Sequence, residues 1–134
     1  MNNKLTIVTA TPDKPARQRW QFDHHRLDAY DVAMQALVKG TAIINRLPRG
    51  YGKLKDQAAR ALQGAFTQTT EAAARTGADR LARYRSARAE AGEAAGLFEA
   101  FERLQLADAA EVDKVLELLW RLSAMLCRLA KLKR

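Results

Sequence analysis

From residue 23 onward the chain is interrupted in only three places, and each interruption is short: "LPRGYG" at 47–52, Gly77, and the acidic turn around Asp108. Between them apolar residues recur at three-to-four spacing, which places them on one face of a helix. Connections this short leave consecutive helices one arrangement, antiparallel and side by side. The pattern therefore predicts an all-α fold, an antiparallel up-down-up-down four-helix bundle over residues 23–134. The 134 residues suit one domain, long enough to bury a core without disulfide or metal help. With 7 Gly and 3 Pro against many alanines and leucines, composition also favours helix over sheet.

The first helix is expected at about 26–46, with Leu27, Tyr30, Met34, Leu37 and Ile44 inward and Gly40 as an internal weak point. Asp28 and Asp31 in its first turn suit the helix dipole. Pro48 disfavours helical geometry at Leu47 and stops it. The second helix, about 53–75, has the stripe Leu54, Ala58, Leu62, Ala65, Phe66, Thr69 and Ala73, small enough for a neighbour to come close. The third, about 78–105, carries Tyr84, Ala87, Ala91, Ala94, Phe98, Phe101 and Leu104. The fourth, about 108–131, starts with Asp108 as N-cap and Glu111 three residues on. Its stripe is Val112, Val115, Leu119, Leu122, Leu126 and Leu129. Residues 1–22 differ: Pro12 and Pro15 block a helix, and the segment reads as a flexible basic arm ending in Trp20 and Phe22.

The fourth helix has more apolar surface than one bundle face needs. Leu118, Met125 and Leu132 lie on one flank, and Trp120 and Cys127 on the other. Either the stripe is broad, or a second face is buried against another subunit. Because Trp120 is an unfavourable residue to leave in water, Leu118, Trp120, Met125 and Leu132 are the candidate oligomer interface.

Charge is segregated. The net charge is +8, from 23 basic and 15 acidic residues, which favours an anionic partner. Residues 46–60 hold five cations against Asp56 alone, and 75–88 hold five arginines against Asp79 alone. Residues 90–117 are acidic, and 121–134 hold five cations and no acid. In an up-down bundle the end of the second helix, the start of the third and the end of the fourth share one pole. That gathers Arg75, Arg80, Arg83, Arg85, Arg88, Arg128, Lys131, Lys133 and Arg134 as candidate nucleic-acid-binding residues. Lys131 and Lys133 suit the dipole at the end of the fourth helix, but Arg80, Arg83, Arg85 and Arg88 sit at the unfavourable end of the third. Cations placed there point to a use beyond helix stability.

Catalytic and metal chemistry find little to work with. His24 and His25 are adjacent and have no second His or Cys cluster, so solvated rings are expected rather than a metal site. Cys127, the single cysteine, lies on a leucine-rich helix and reads as a buried inert thiol. Glu71 and Glu93 can pair with Arg60 or Arg88 between helices as structural ion pairs. No P-loop, GxGxxG or GxSxG occurs, and no cofactor or enzymatic activity is expected. The absence of an internal disulfide fits a reducing cytoplasm. "LTIVTA" at 5–10 is too short and polar for a signal peptide, and no apolar run spans a membrane.

The order "RLDAYDVAMQAL", "RLPRGYGKLKDQAARAL", "TEAAAR" and "YRSARAEAGE" resembles the bacterial four-helix-bundle proteins of the 23S rRNA intervening-sequence type. It is more distantly similar to the accessory variability protein of diversity-generating retroelements. The resemblance covers about residues 22–132. Leu27, Asp28 and Tyr30 match the Leu-Asp-x-Tyr opening, and Pro48 to Gly52 roughly match the loop. Tyr84, Arg85, Ala87, Arg88 and Glu93 match a Tyr-Arg-x-Ala-Arg segment followed by Glu. Of an Asn-Ile-Ala-Glu-Gly segment only Glu71 is kept, and a proline often found in the family's second helix is absent. The resemblance implies a ring-like homopentamer without catalytic activity and, in the retroelement branch, a basic ring that binds nucleic acid and a reverse transcriptase.

Three functions are compatible with these features. The first is a cytoplasmic, oligomeric RNA- or DNA-binding protein making sequence-nonspecific phosphate contacts, accessory to a reverse transcriptase if the resemblance holds. The second is an adaptor docking an acidic protein partner without nucleic acid. The third, a membrane-surface module, lacks the exposed basic helix with a bulky apolar opposite face that it needs.

Overall fold

A computed structural model describes residues 20–132. A four-residue 3-10 turn at Asp23–Arg26 leads into four helices: α1 (Asp28–Asn45), α2 (Gly52–Ala73), α3 (Gly77–Arg103) and α4 (Ala109–Leu129). No strand occurs among the described residues, and none of these helices is long and apolar enough to cross a membrane. Each helix packs on two neighbours in the cyclic order α1, α2, α3, α4, and the Cα atoms of diagonal pairs stay more than 8 Å apart, so only side chains meet across the axis. The chain is an all-α four-helix bundle with short connections. Contacts between chain-distant residues fix the antiparallel sense. Arg46 at the end of α1 pairs with Glu111 at the start of α4, and Arg83 near the start of α3 reaches Gln68 near the end of α2.

The ends follow local chemistry. Asp108 caps α4, its Oδ2 accepting from Glu111 N at 3.2 Å. α3 and α4 both close with a residue in the left-handed region, Gln105 (φ 61°) and Lys131 (φ 59°). The Leu106 amide then donates to Phe101 O at 2.8 Å, and the Leu132 amide to Cys127 O at 2.9 Å. These bonds satisfy carbonyls that a helix end otherwise leaves open. The N-terminal arm expected over 1–22 falls largely outside the described residues.

Small side chains line much of the core. α2 contributes Ala58, Ala61, Ala65 and Ala72 around Leu62, and α3 contributes Ala87, Ala91 and Ala94 before Phe98 and Phe101. The two phenylalanines meet edge to face, with centroids 5.5 Å apart. α4 supplies bulk through Val112, Val115, Leu119, Leu122 and Leu126. Leu104, placed inward from sequence, is instead 45% exposed, because α3 ends at Arg103.

α1 departs most from its expected face. Its buried residues are Ala29, Val32, Ala33, Ala36, Gly40 and Ile43, while Leu27, Leu37 and Ile44 only flank the core. The reason is distance: the small residues face the bundle axis and let α1 lie close to its neighbours. At Gly40 an added Cβ would fall 2.6 Å from Leu62 Cδ1 and 3.1 Å from Phe98 Cζ. Gly40 is thus a packing position, not a weak point. Gly40→Ala should lower unfolding free energy by about 1–3 kcal/mol, the range for overpacking a closed core. Denaturant titration measures this.

A second close approach joins α2 to α3. The Glu90 side chain lies over Gly64, where a Cβ would come 1.9 Å from its Oε2. Glu90 is half-buried and forms no ion pair among the described residues. Burial, and then the charge of Glu93, push its carboxyl above the usual range. A raised folded-state pKa favours the fold where the group is protonated, and that advantage is lost as pH rises through the folded value. Glu90→Gln should therefore raise the thermal midpoint at neutral pH and leave it unchanged in acid below the carboxylate range. Melting curves at both pH values check the sign.

Candidate nucleic-acid interface

The candidate basic residues divide into two groups. Those nearest the α2–α3 connection are held by the chain itself. Arg80 Nε donates to Arg75 O at 2.7 Å and to Ala72 O at 3.2 Å, and its Nη2 donates to Ala73 O at 3.3 Å. The guanidinium therefore closes the C-terminus of α2, whose last carbonyls carry the negative end of the dipole. Arg83 Nη1 bonds Gln68 Oε1 at 3.3 Å and lies 3.5 Å from Glu71, while its Nε is 3.6 Å from Asp79. Arg75 is more exposed and pairs with Asp79 at 3.1 Å. Arg80 and Arg83 thus lie at the dipole-unfavourable end of α3 because they serve α2. Both guanidinium groups that the sequence offers for phosphate are engaged within the chain. Glu71 pairs with Arg83 rather than with Arg60 or Arg88.

Arg80→Ala should cost about 1–2 kcal/mol of stability, the range for charge-assisted hydrogen bonds at partly exposed sites. Arg80→Lys should recover little, since one ammonium cannot span three carbonyls as the planar guanidinium does. Chemical denaturation of the two variants tests both statements.

The second group is open to solvent. Arg85, Arg88, Arg128 and Lys131 are exposed and form no ion pair among the described residues. Arg128 and Lys131 end α4 at the same pole as the α2–α3 connection. One hollow there is lined by Arg26, Leu27, Asp28, Met125 and Arg128, which brings the start of α1 to the end of α4. Sequence reasoning passed over Arg26; counting the start of α1 among the helix ends at this pole would have found it. Lys133 and Arg134 lie outside the described residues. Arg85 and Arg88 stand farther along α3, and Arg88 borders a different hollow beside Trp120.

The pole also carries an aromatic cluster. His24 and His25 meet at 4.4 Å between centroids, His24 lies 4.5 Å from Tyr30, and Tyr30 lies 5.5 Å from Phe66. His25 Nδ1 accepts from the Phe22 amide at 3.0 Å. The histidines expected to be solvated are instead packed on α1. Burial, followed by the charge of His25, lowers the His24 pKa. No group of three potential metal ligands occurs among the described residues.

The four expected interface residues also separate. Leu118 is 5% exposed and belongs to the chain's own core, so it offers no surface to another subunit. α4 touches both α1 and α3, and that geometry demands a broad apolar arc within one chain. Met125 and Leu132 are half-buried against the same core. Trp120 alone stands out, 72% exposed. Cys127 is buried, its Sγ 3.5 Å from Leu132 O.

Comparison with known proteins gives no family model that matches the sequence and no curated protein that matches it.

Proposed function

We propose that the chain is a non-catalytic nucleic-acid-binding protein that holds phosphates without reading sequence, through the pole where α1 begins and α2 and α4 end. The observation that carries this reading is the meeting there of exposed cations from separate segments, unpaired among the described residues: Arg26 and Arg128 border one hollow, and Lys131 follows the C-cap of α4. Lys133, Arg134 and the basic residues of the first 22 positions adjoin these segments in the chain. Exposed guanidinium groups suit phosphate oxygens through charge-assisted, often bidentate bonds. No base-reading motif occurs, and the exposed Trp20 and Phe22 rings beside this pole suit sequence-tolerant stacking rather than base reading. Self-association multiplies such a pole and adds avidity for a long polyanion. The intervening-sequence and retroelement resemblance extends this proposal to a homopentamer and to an accessory of a reverse transcriptase.

Fluorescence anisotropy with labelled RNA and DNA tests it. With several phosphate contacts per molecule, affinity should fall on the order of a hundredfold between roughly 50 and 200 mM salt. Arg26→Ala, Arg128→Ala and Lys131→Ala should each weaken binding across sequences and reduce the salt slope by about one. No binding at the lower salt sinks the reading and moves the search to an acidic protein partner.

A further inference from the structure

The Trp120 indole stands midway along the groove between α3 and α4. On one side lies a hollow bordered by Arg88, Ser123, Ala124 and Cys127. On the other lies a hollow bordered by Gly92, Ala95, Glu99, Leu116 and Ser123. A large apolar knob thus sits beside two recesses made by small side chains, with a cation at one end and an acid at the other. Arg88 and Glu99 are both exposed and form no ion pair among the described residues.

The α3 edge of this groove is unusually bare. Gly92 and Gly96 lie in mid-helix, and a Cβ at either would meet nothing within 4 Å. Glycine weakens a helix relative to alanine, and nothing inside the chain requires it at these positions. The bare edge they leave has room for a second helix to come close. The pattern is also symmetric: Arg88 and Glu99 are equally far along the chain from the point between residues 93 and 94, and so are Gly92 and Ala95. A half-turn about an axis across that point exchanges Arg88 with Glu99 and Gly92 with Ala95.

We propose that this groove is a two-fold interface with a second copy of the chain, α3 crossing α3 antiparallel at Gly92 and Ala95. Trp120 of each copy enters a recess of the other, and Arg88 of each faces Glu99 of the other. Such a patch is self-complementary, as an isologous contact must be. An aromatic anchor at its centre and opposite charges at its rim give attraction and register. From Arg88 to Glu99 the helix spans about 17 Å, so the contact is at the small end for a stable pair and the dimer is reversible. The proposal is independent of the phosphate contacts at the basic pole, but it stands in place of the ring of five that the resemblance implies.

Sedimentation velocity on the full chain over a range of concentrations tests it. Arg88→Glu and Glu99→Arg should each weaken self-association at least tenfold, by setting like charges face to face. Mixed in equal amounts, the two variants should associate with each other as the unaltered chain does, because both cross-pairs then regain opposite charge. Both positions are solvent-exposed, and circular dichroism verifies that the variants stay folded. Trp120→Ala should weaken association in any background. Three results overturn the proposal: an unaltered chain that stays monomeric, an assembly that neither charge reversal weakens, or a mixture that associates no better than its components. A ring of five copies insensitive to both reversals falls in the second class.

Discussion

The close approach of helix backbones, set by alanine and glycine along the bundle axis, is the constraint on which the other features rest. Where α1 passes α2 and α3, Gly40 leaves room only for Leu62 and Phe98. Along α3, Ala87, Ala91 and Ala94 share the core with the leucines of the adjacent α4. Dense packing of this kind tolerates little change in volume. It also leaves little apolar surface per helix, so larger residues such as Leu37, Ile44 and Phe66 are pushed to the flanks, where they seal the seams.

Narrow spacing decides what the arginines do. With α2 and α3 held close and joined by a short turn, the open carbonyls of α2 lie within reach of Arg80, and Gln68 and Glu71 within reach of Arg83. The cations at the start of α3 that looked available for a ligand complete the connection instead. Those farther out, on α4 and at the start of α1, have no such acceptor and remain solvated. A run of like charge in sequence thus splits into structural and free groups according to what the neighbouring helix presents.

Much of the architecture was legible in the sequence because it depends on local rules. Three short breaks and three-to-four spacing gave the four helices to within a few residues, and Asp108 with Glu111 marked the start of α4. The inner faces of α3 and α4 were largely readable, since Phe98, Phe101 and the α4 leucines point inward, whereas α2 buries mainly alanines around Leu62 and leaves Leu54 and Phe66 on the flank. α1 is not readable in this way, because size is a poor mark of burial there: the helix buries its small residues and leaves Leu37 half-covered. Leu118 was misassigned for a related reason: the apolar arc of a helix touching two neighbours is wider than one stripe. The roles of Arg80 and Arg83 depend on carbonyls and side chains from α2, which spacing along α3 does not reveal. Arg26 needed only the pole argument applied to every helix end.

The division of the arginines is most directly tested by their side-chain Nε–H resonances, followed by NMR while a short single-stranded oligonucleotide is added. The account predicts that Arg26 and Arg128 shift progressively and return when salt is raised, while Arg80 and Arg83 hold their positions. Movement of Arg80 and Arg83 with Arg26 and Arg128 unchanged would contradict it.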